Sequence, residues 1–385
     1  MLPRERIENA ISFHKIDRIP RDFGGPVSGI SKIAYEKLLN YWNIPINNIQ
    51  VSDIIQQLAV INETVLTKLK IDTRHIGMDP PKREELTKNG EINSFYNIYG
   101  IKYQSIGTSE YNPLYYEMVS YPLAEASLKE VEEFKLPSPT KEWFIGCEKA
   151  AKKFWEGGYA VVADPMSGGI LEQTIGLRGF HTFLSDLYGN RKIIEVLLDR
   201  NLTNQMQIWE RWLSELGDWV TIAMYGDDYG TQERLLLHPN MWRELVKPRV
   251  KKLIQSIKRN FSHIKIQLHS CGSIAEIIPD LIEIGFDILN PVQPARGMDH
   301  INLKRKYGSE ICFHGGFDIQ EVLPRGSQLE VKNEVNRVLN TLAKDNTGYI
   351  FAMAHNILAD VPPENIIAAY NALTNWKSKQ HDFKD

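Results

Sequence analysis

Apolar residues along this chain gather in short runs that alternate with longer amphipathic stretches. The runs Arg18–Phe23, Thr73–Met78, Tyr159–Asp164, Trp219–Tyr225, Ile264–Leu268, Phe286–Pro291, Ile311–His314 and Tyr349–Met353 have the length and composition of strands. Helical periodicity fills the intervals over Glu142–Trp155, Arg191–Leu216, Asn240–Phe261, Ile274–Ile284, Leu329–Asp345 and Pro363–Ser378. Pro239 and Pro363 stand near helix starts, where a missing N–H costs nothing. Eight strands alternating with helices predict a (β/α)8 barrel spanning residues 1–385 as a single α/β domain. No G-x-G-x-x-G follows the first strand, which argues against a dinucleotide-binding sheet.

One region breaks the alternation. From Glu91 to Tyr121 the residues Phe95, Tyr96, Ile98, Ile101, Tyr103, Tyr115, Tyr116, Met118 and Val119 sit in short strand-like segments with Gly and Asn-Pro breaks. This predicts a β-hairpin insertion after the second strand, able to cover part of the barrel mouth. Leu136-Pro-Ser-Pro139 then leads toward the helix before the third strand, and Lys377–Asp385 reads as a frayed tail.

Composition narrows the class without naming it. Hydrophobic residues make up 43% and charged residues 24%, and the formal net charge of −3 offers no basic footprint for nucleic acid. The segment Met1–Glu8 lacks the apolar core of a signal peptide, and no apolar run reaches transmembrane length. Three cysteines, Cys147, Cys271 and Cys312, are too few and scattered for a disulfide framework. The expectation is a reduced, cytoplasmic protein with no membrane association, in which Cys147 and Cys312 are inert core thiols.

In a parallel barrel the active site lies at the carboxyl ends of the strands. Those ends are polar here. Ile264-Lys-Ile-Gln-Leu-His269-Ser-Cys271-Gly272 places a histidine and a thiol two residues apart where a strand gives way to a loop. Imidazole and thiolate together suit Zn²⁺, and a catalytic zinc takes three protein ligands with one position open. His355, at the end of the eighth strand, is the expected third ligand. Asp227 and Asp228 are adjacent, so on an extended strand they point opposite ways: one toward the pocket as a base or metal neighbour, the other toward a turn. Both are catalytic candidates, and Asp228 is also a candidate fourth ligand. Asn290, Gln293, His314 and Asn356, with Asp164, Glu172 and Asp318, are candidate substrate contacts or supports of the ligands.

Leu268-His-Ser-Cys-Gly272, Ile288-Leu-Asn-Pro-Val-Gln293, Phe313-His-Gly-Gly-Phe-Asp318 and His355-Asn-Ile-Leu-Ala-Asp-Val-Pro-Pro-Glu-Asn365 together resemble the uroporphyrinogen decarboxylase superfamily, as does the opening Arg4-Glu-Arg with Asp17-Arg-Ile-Pro20. The resemblance covers nearly the whole chain and implies a single TIM barrel. One branch decarboxylates uroporphyrinogen without cofactor and relies on an N-terminal Arg-Gln-Ala-Gly-Arg-Tyr motif. Here that region reads Arg21-Asp-Phe-Gly-Gly-Pro26. The other branch contains zinc-dependent methyltransferases linked to a corrinoid, whose zinc is held by His-x-Cys and a later cysteine. This chain keeps His269-x-Cys271 and carries His355 near the place of the later cysteine.

That departure changes the chemistry the resemblance implies. Zn²⁺ with one histidine and two thiolates is formally neutral and suits a thiol substrate. With one thiolate and two histidines it keeps a net +1 and is a stronger Lewis acid, matched to oxygen. The expectation is a methyltransferase of O-demethylase type, using Zn²⁺ and moving a methyl group from a small methoxylated substrate to cobalamin on a corrinoid-binding partner protein. A homodimer is compatible with the resemblance. The alternatives are a metal-free decarboxylase-like lyase, a methylcobalamin:thiol methyltransferase and a catalytically silent barrel.

Overall fold

The computed structural model describes residues 1–81, 84–88, 91–106, 115–166 and 168–376. In chain order, β1 (Val51–Asp53) and β2 (Leu58–Ala59) pair as a small antiparallel ribbon. β3 (Thr73–Ile76) enters the main sheet. β4 (Glu84–Lys88), β5 (Glu91–Tyr96), β6 (Lys102–Ile106) and β7 (Tyr115–Ser120) form a separate antiparallel sheet. β8 (Ala160–Ala163), β9 (Ile222–Gly226), β10 (Lys265–His269), β11 (Ile288–Asn290), β12 (Cys312–His314) and β13 (Tyr349–Ile350) complete the main sheet. Its order is β3-β8-β9-β10-β11-β12-β13, and every pairing is parallel.

The expected first strand, Arg18–Phe23, contracts to a single stave residue. Arg21 makes a parallel bridge with Phe351, Asp22 N–H donates to Phe351 O and Phe351 N–H to Pro20 O, each at 2.9 Å. On the other side Asp72 N–H donates to Arg21 O at 2.9 Å, so this segment closes the circle between β13 and β3. Pro20 has no N–H to give, and Gly24 and Gly25 turn the chain away with positive φ, which limits the ladder to that bridge. The result is the (β/α)8 barrel with one irregular stave.

Parallel strands covered on both faces read as continuous apolar runs. Alternate residues divide two cores. Ala160, Val162, Ile222, Met224, Ile288, Cys312 and Ile350 point into the barrel, where Ile7, Ala10 and Ile11 of the helix Pro3–Ile11 join them. The opposite faces pack under the surrounding helices. Cys312 is a buried interior thiol as expected, whereas Cys147 is only half-buried at a helix start.

Other boundaries depart from the sequence pattern for local reasons. Arg191–Leu216 forms as expected. The expected helix Asn240–Phe261 divides into Pro239–Leu245 and Lys247–Asn260, because Pro248 cannot donate back to the preceding turn. Ile274–Ile284 begins as a 3-10 turn, Ala275–Ile277, before the helix Ile278–Ile284. Glu142–Trp155 divides at Gly146, which adopts φ 81°. The final helix is Pro363–Asn375, and residues 377–385 lie outside the described residues. The insertion is larger than the expected hairpin: β4 adds a strand, giving a four-stranded meander. Phe95 stacks on Tyr103 at 5.2 Å and meets Tyr116 edge-on at 5.3 Å, so one aromatic face holds the meander together. No described helix is long and apolar enough to cross a membrane.

Asp72 anchors the closing seam. Its buried carboxylate accepts from Arg6 Nη1 at 2.6 Å, Arg18 Nη2 at 2.7 Å and Arg21 N–H at 2.9 Å. Asp72→Ala leaves the buried Arg6 guanidinium with Asp17 as its one carboxylate partner. We expect a loss of about 3–5 kcal/mol of stability, read as a lower urea midpoint.

Candidate functional site

β10 delivers His269 to the rim of the barrel as its last residue, with Gly226 of β9 and Asn290 of β11 beside it in register. Beyond it, Gly272 adopts φ +82°, and a Cβ there would lie 2.5 Å from Thr231 O. Only glycine lets the β9 and β10 loops touch this closely. The two loops are strapped by Cys271 N–H to Asp228 Oδ1 at 2.7 Å and Tyr229 N–H to Ser270 Oγ at 2.9 Å. On the far side, Asn356 accepts from Gly29 N–H and donates to Pro26 O and Gln56 Oε1, each at 2.7 Å, fixing the turn that carries His355.

Three donors converge as a result. One donor atom each from His269, Cys271 and His355 all lie within 4.8 Å of one another. The two imidazole centroids are 5.4 Å apart, and Cys271 Sγ is 3.5 Å from His269 Nε2. Zinc bonds of about 2.3 Å to sulfur and about 2.0–2.1 Å to nitrogen at a tetrahedral angle imply an S···N separation of roughly 3.5 Å. The His269–Cys271 pair already has that spacing, and the His355 donor lies within 4.8 Å of both. Burial, then the nearness of His269, lowers His355 to about 3, so its imidazole is neutral with a lone pair free. Burial, then Asp228 and Glu172, pushes the Cys271 thiol well up. A divalent cation is what would offset that cost and draw out the thiolate. The donor set fits zinc.

Behind the donors runs a buried hydrogen-bonded chain. His269 Nδ1 is 2.5 Å from Asn290 Oδ1, Asn290 Nδ2 is 2.6 Å from His314 Nδ1, and His314 Nε2 is 3.0 Å from Asp22 Oδ2. Asp22 Oδ1 accepts from Thr73 Oγ1 and from His75 Nε2 at 2.8 Å, and His75 Nδ1 reaches Asp164 Oδ1 at 2.8 Å. Burial alone would lower His75, but Asp164 and Asp22 outweigh it and raise it to about 10. Burial alone would raise Asp22, but His75 and His314 hold it well below the usual carboxylate range. His75 is therefore an imidazolium between two carboxyl groups. A Cβ on Gly25 would lie 2.2 Å from His75 Nδ1, so the loop needs glycine there.

The adjacent aspartates part as the strand geometry requires. Asp228 faces a cavity of 2620 Å³ over the barrel mouth. Asp227 is fully buried and does not line it: Oδ2 accepts from Leu171 N–H, Tyr225 Oη and Tyr229 Oη, and Oδ1 from Glu172 N–H. It caps the helix Ile170–Arg178 instead of its own following turn, which makes it a positioning group and not the catalytic residue expected. Glu172 lines the cavity, and burial, then Asp228 and Asp227, raises its carboxyl well above the ordinary value.

Asp164, Glu172, Asp228, His269 and His355 share the cavity wall with Phe95, Tyr103 and Tyr116 of the meander. Of the four expected substrate contacts, Asn290 and His314 stand behind His269, Asn356 ties loops together, and Gln293 does not line the cavity. Asp318 accepts the N–H groups of Gln320 and Glu321. Asp22 and His75 do not stand out in the sequence, because Arg18–Phe23 and Thr73–Met78 hold arginines and other polar residues beside them.

The family model described as uroporphyrinogen decarboxylase (URO-D) matches residues 171–376, just over half of the chain. Uroporphyrinogen decarboxylase of Chlorobium phaeovibrioides is 25% identical over 180 residues, 46% of this chain and 43% of that protein. The chain thus aligns with less than half the length of that relative. The same enzyme of Wigglesworthia glossinidia brevipalpis is 22% identical over 289 residues, 72% of this chain and 73% of that protein. A solved structure described as a methyltransferase from Methanosarcina mazei shares the fold, with a TM-score of 0.67 at 16% identity over 97% of this chain and 98% of that one.

His75 gives the fold a pH dependence. With 6.5 as its ordinary value and about 10 in place, its ion pairing stabilises fully below pH 6.5 and fades as pH rises through 10. Urea midpoints of the wild type should fall from pH 6.5 to 10 more steeply than those of His75→Gln.

Proposed function

The chain belongs to the uroporphyrinogen decarboxylase (URO-D) family, and on that premise we propose that it is a zinc-dependent methyltransferase, taking a methyl group from a small methoxylated compound and delivering it to a corrinoid on a partner protein. The observation that carries this reading is the convergence of His269, Cys271 and His355 beside a 2620 Å³ cavity. When bound, zinc held by these three side chains supplies Lewis acidity toward an ether oxygen, and the reduced corrinoid is the methyl acceptor.

The chain's own residues do the rest. Phe95, Tyr103 and Tyr116 offer an apolar wall that holds a methoxylated ring or chain and limits water. Asp228 holds the Cys271 loop through its N–H. Glu172, kept protonated by burial and by two neighbouring carboxylates, is the proton donor. As the methyl group departs, the electron pair of the broken C–O bond stays on oxygen, and the Glu172 proton converts that oxygen to a hydroxyl.

A decarboxylase acting on a polyacid would want free arginines at the cavity. Arg21 instead donates to Leu69 O at 2.8 Å and Thr374 Oγ1 at 2.9 Å. Among the described residues lining the cavity, the arginine is Arg74, which pairs with Glu63 and stacks on Tyr159 at 3.6 Å. The buried and half-buried part of the wall carries Asp164, Glu172 and Asp228, while the lining lysines Lys32, Lys37 and Lys153 are exposed. Such a surface suits an uncharged methyl donor better than a polyanion.

Purified protein supplied with zinc should hold about one equivalent per chain, by three-ligand closure, and both Cys271→Ser and His355→Ala should lose it. A wild type without stoichiometric zinc would move the metal-free lyase to first place. Glu172→Gln should retain the zinc and lose roughly 10²–10⁴-fold in demethylation rate with cob(I)alamin and methoxylated donors.

A further inference from the structure

The order of donors and acceptors behind the site determines which nitrogen of His269 is bare. Asp22 is buried and accepts from His75 and Thr73 at Oδ1, and from Ser28 and His314 at Oδ2. A carboxylate has no proton to give, so His314 Nε2 must carry the hydrogen. A neutral His314 then presents a lone pair at Nδ1, and the group 2.6 Å from it must be the NH2 end of Asn290. The amide oxygen therefore faces His269 Nδ1 at 2.5 Å, which must donate. His269 Nε2 is left without hydrogen, 3.5 Å from Cys271 Sγ. The reversed order would require a doubly protonated His314, one more charge desolvated in the barrel.

We propose that Asp22 is a positioning residue for the metal site: through His314 and Asn290 it selects the His269 tautomer whose Nε2 can bind the metal. The proposal rests on the zinc reading above. Asp22 on the first stave and His269 at the end of β10 lie across the barrel from each other, and two side chains join them. Supports of this kind orient a ligand imidazole and raise its basicity, and their loss costs roughly 10–100-fold in metal affinity.

Zinc affinity, measured by competition with a chromogenic chelator, separates this role from a structural one when four proteins are compared. Asp22→Asn can accept or donate toward His314, so the chain loses its direction, and affinity should fall roughly 10–100-fold. Asn290→Asp supplies a carboxylate that takes the His269 Nδ1 hydrogen whatever stands at 22. Adding Asp22→Asn to it should therefore cost little or nothing further. An equal loss in both backgrounds, or none in Asp22→Asn alone, would overturn the proposal while leaving the zinc site standing. A wild type that binds no zinc overturns the zinc reading and the proposal together. Should Asp22→Asn not fold, the metal-free wild type decides. Its His269 ring ¹⁵N signals, assigned by their loss in His269→Gln, should report hydrogen at Nδ1; hydrogen at Nε2 would overturn the proposal.

Discussion

A carboxylate shut away from water is stable only where donors surround it. Asp22 draws its donors from three parts of the barrel: Thr73 and His75 on β3, His314 at the end of β12, and Ser28 on the N-terminal loop. Its own N–H bonds Phe351 just past β13. The irregular first stave has only one bridge to the sheet, so these side-chain bonds do much of the work that a ladder does elsewhere. Barrel closure and the wiring of the site are thus the same set of contacts.

From that anchor the mouth of the barrel divides its labour. One side holds His75 as an imidazolium between Asp22 and Asp164. Across the mouth, His269 at the end of β10 and Cys271 just past it meet His355 from beyond β13, with Asp228 fastening the Cys271 loop. Asp227, next to Asp228 in sequence, turns the other way and caps the helix Ile170–Arg178, which in turn presents Glu172 to the cavity. The pleat of a strand separates two neighbours into a buried support and a cavity-facing group.

The meander over the mouth adds what the barrel lacks. Strand ends are polar because loops and helix starts bring their unpaired donors there, so an apolar wall must come from elsewhere. Phe95, Tyr103 and Tyr116 provide it, packed on one another as well as on the barrel. The cavity therefore combines a polar floor with an aromatic roof.

The alternation of strand and helix was legible because it is local: periodicity and apolar runs need no knowledge of distant residues. The same holds for His269-x-Cys271 at a strand end and for the opposed directions of Asp227 and Asp228. Helix breaks at Pro248 and Gly146 were also written locally, though the apolar pattern ran straight through them. What the sequence by itself determined was a parallel barrel with a metal-type donor pair at its carboxyl rim. Only the tertiary structure decided that Asn290, His314 and Asn356 support the site from behind, and that Asp22 and His75 belong to it at all. Residues 22, 75, 164, 269, 290 and 314 are strangers along the chain. They become one hydrogen-bonded path only when the barrel closes and buries them against one another.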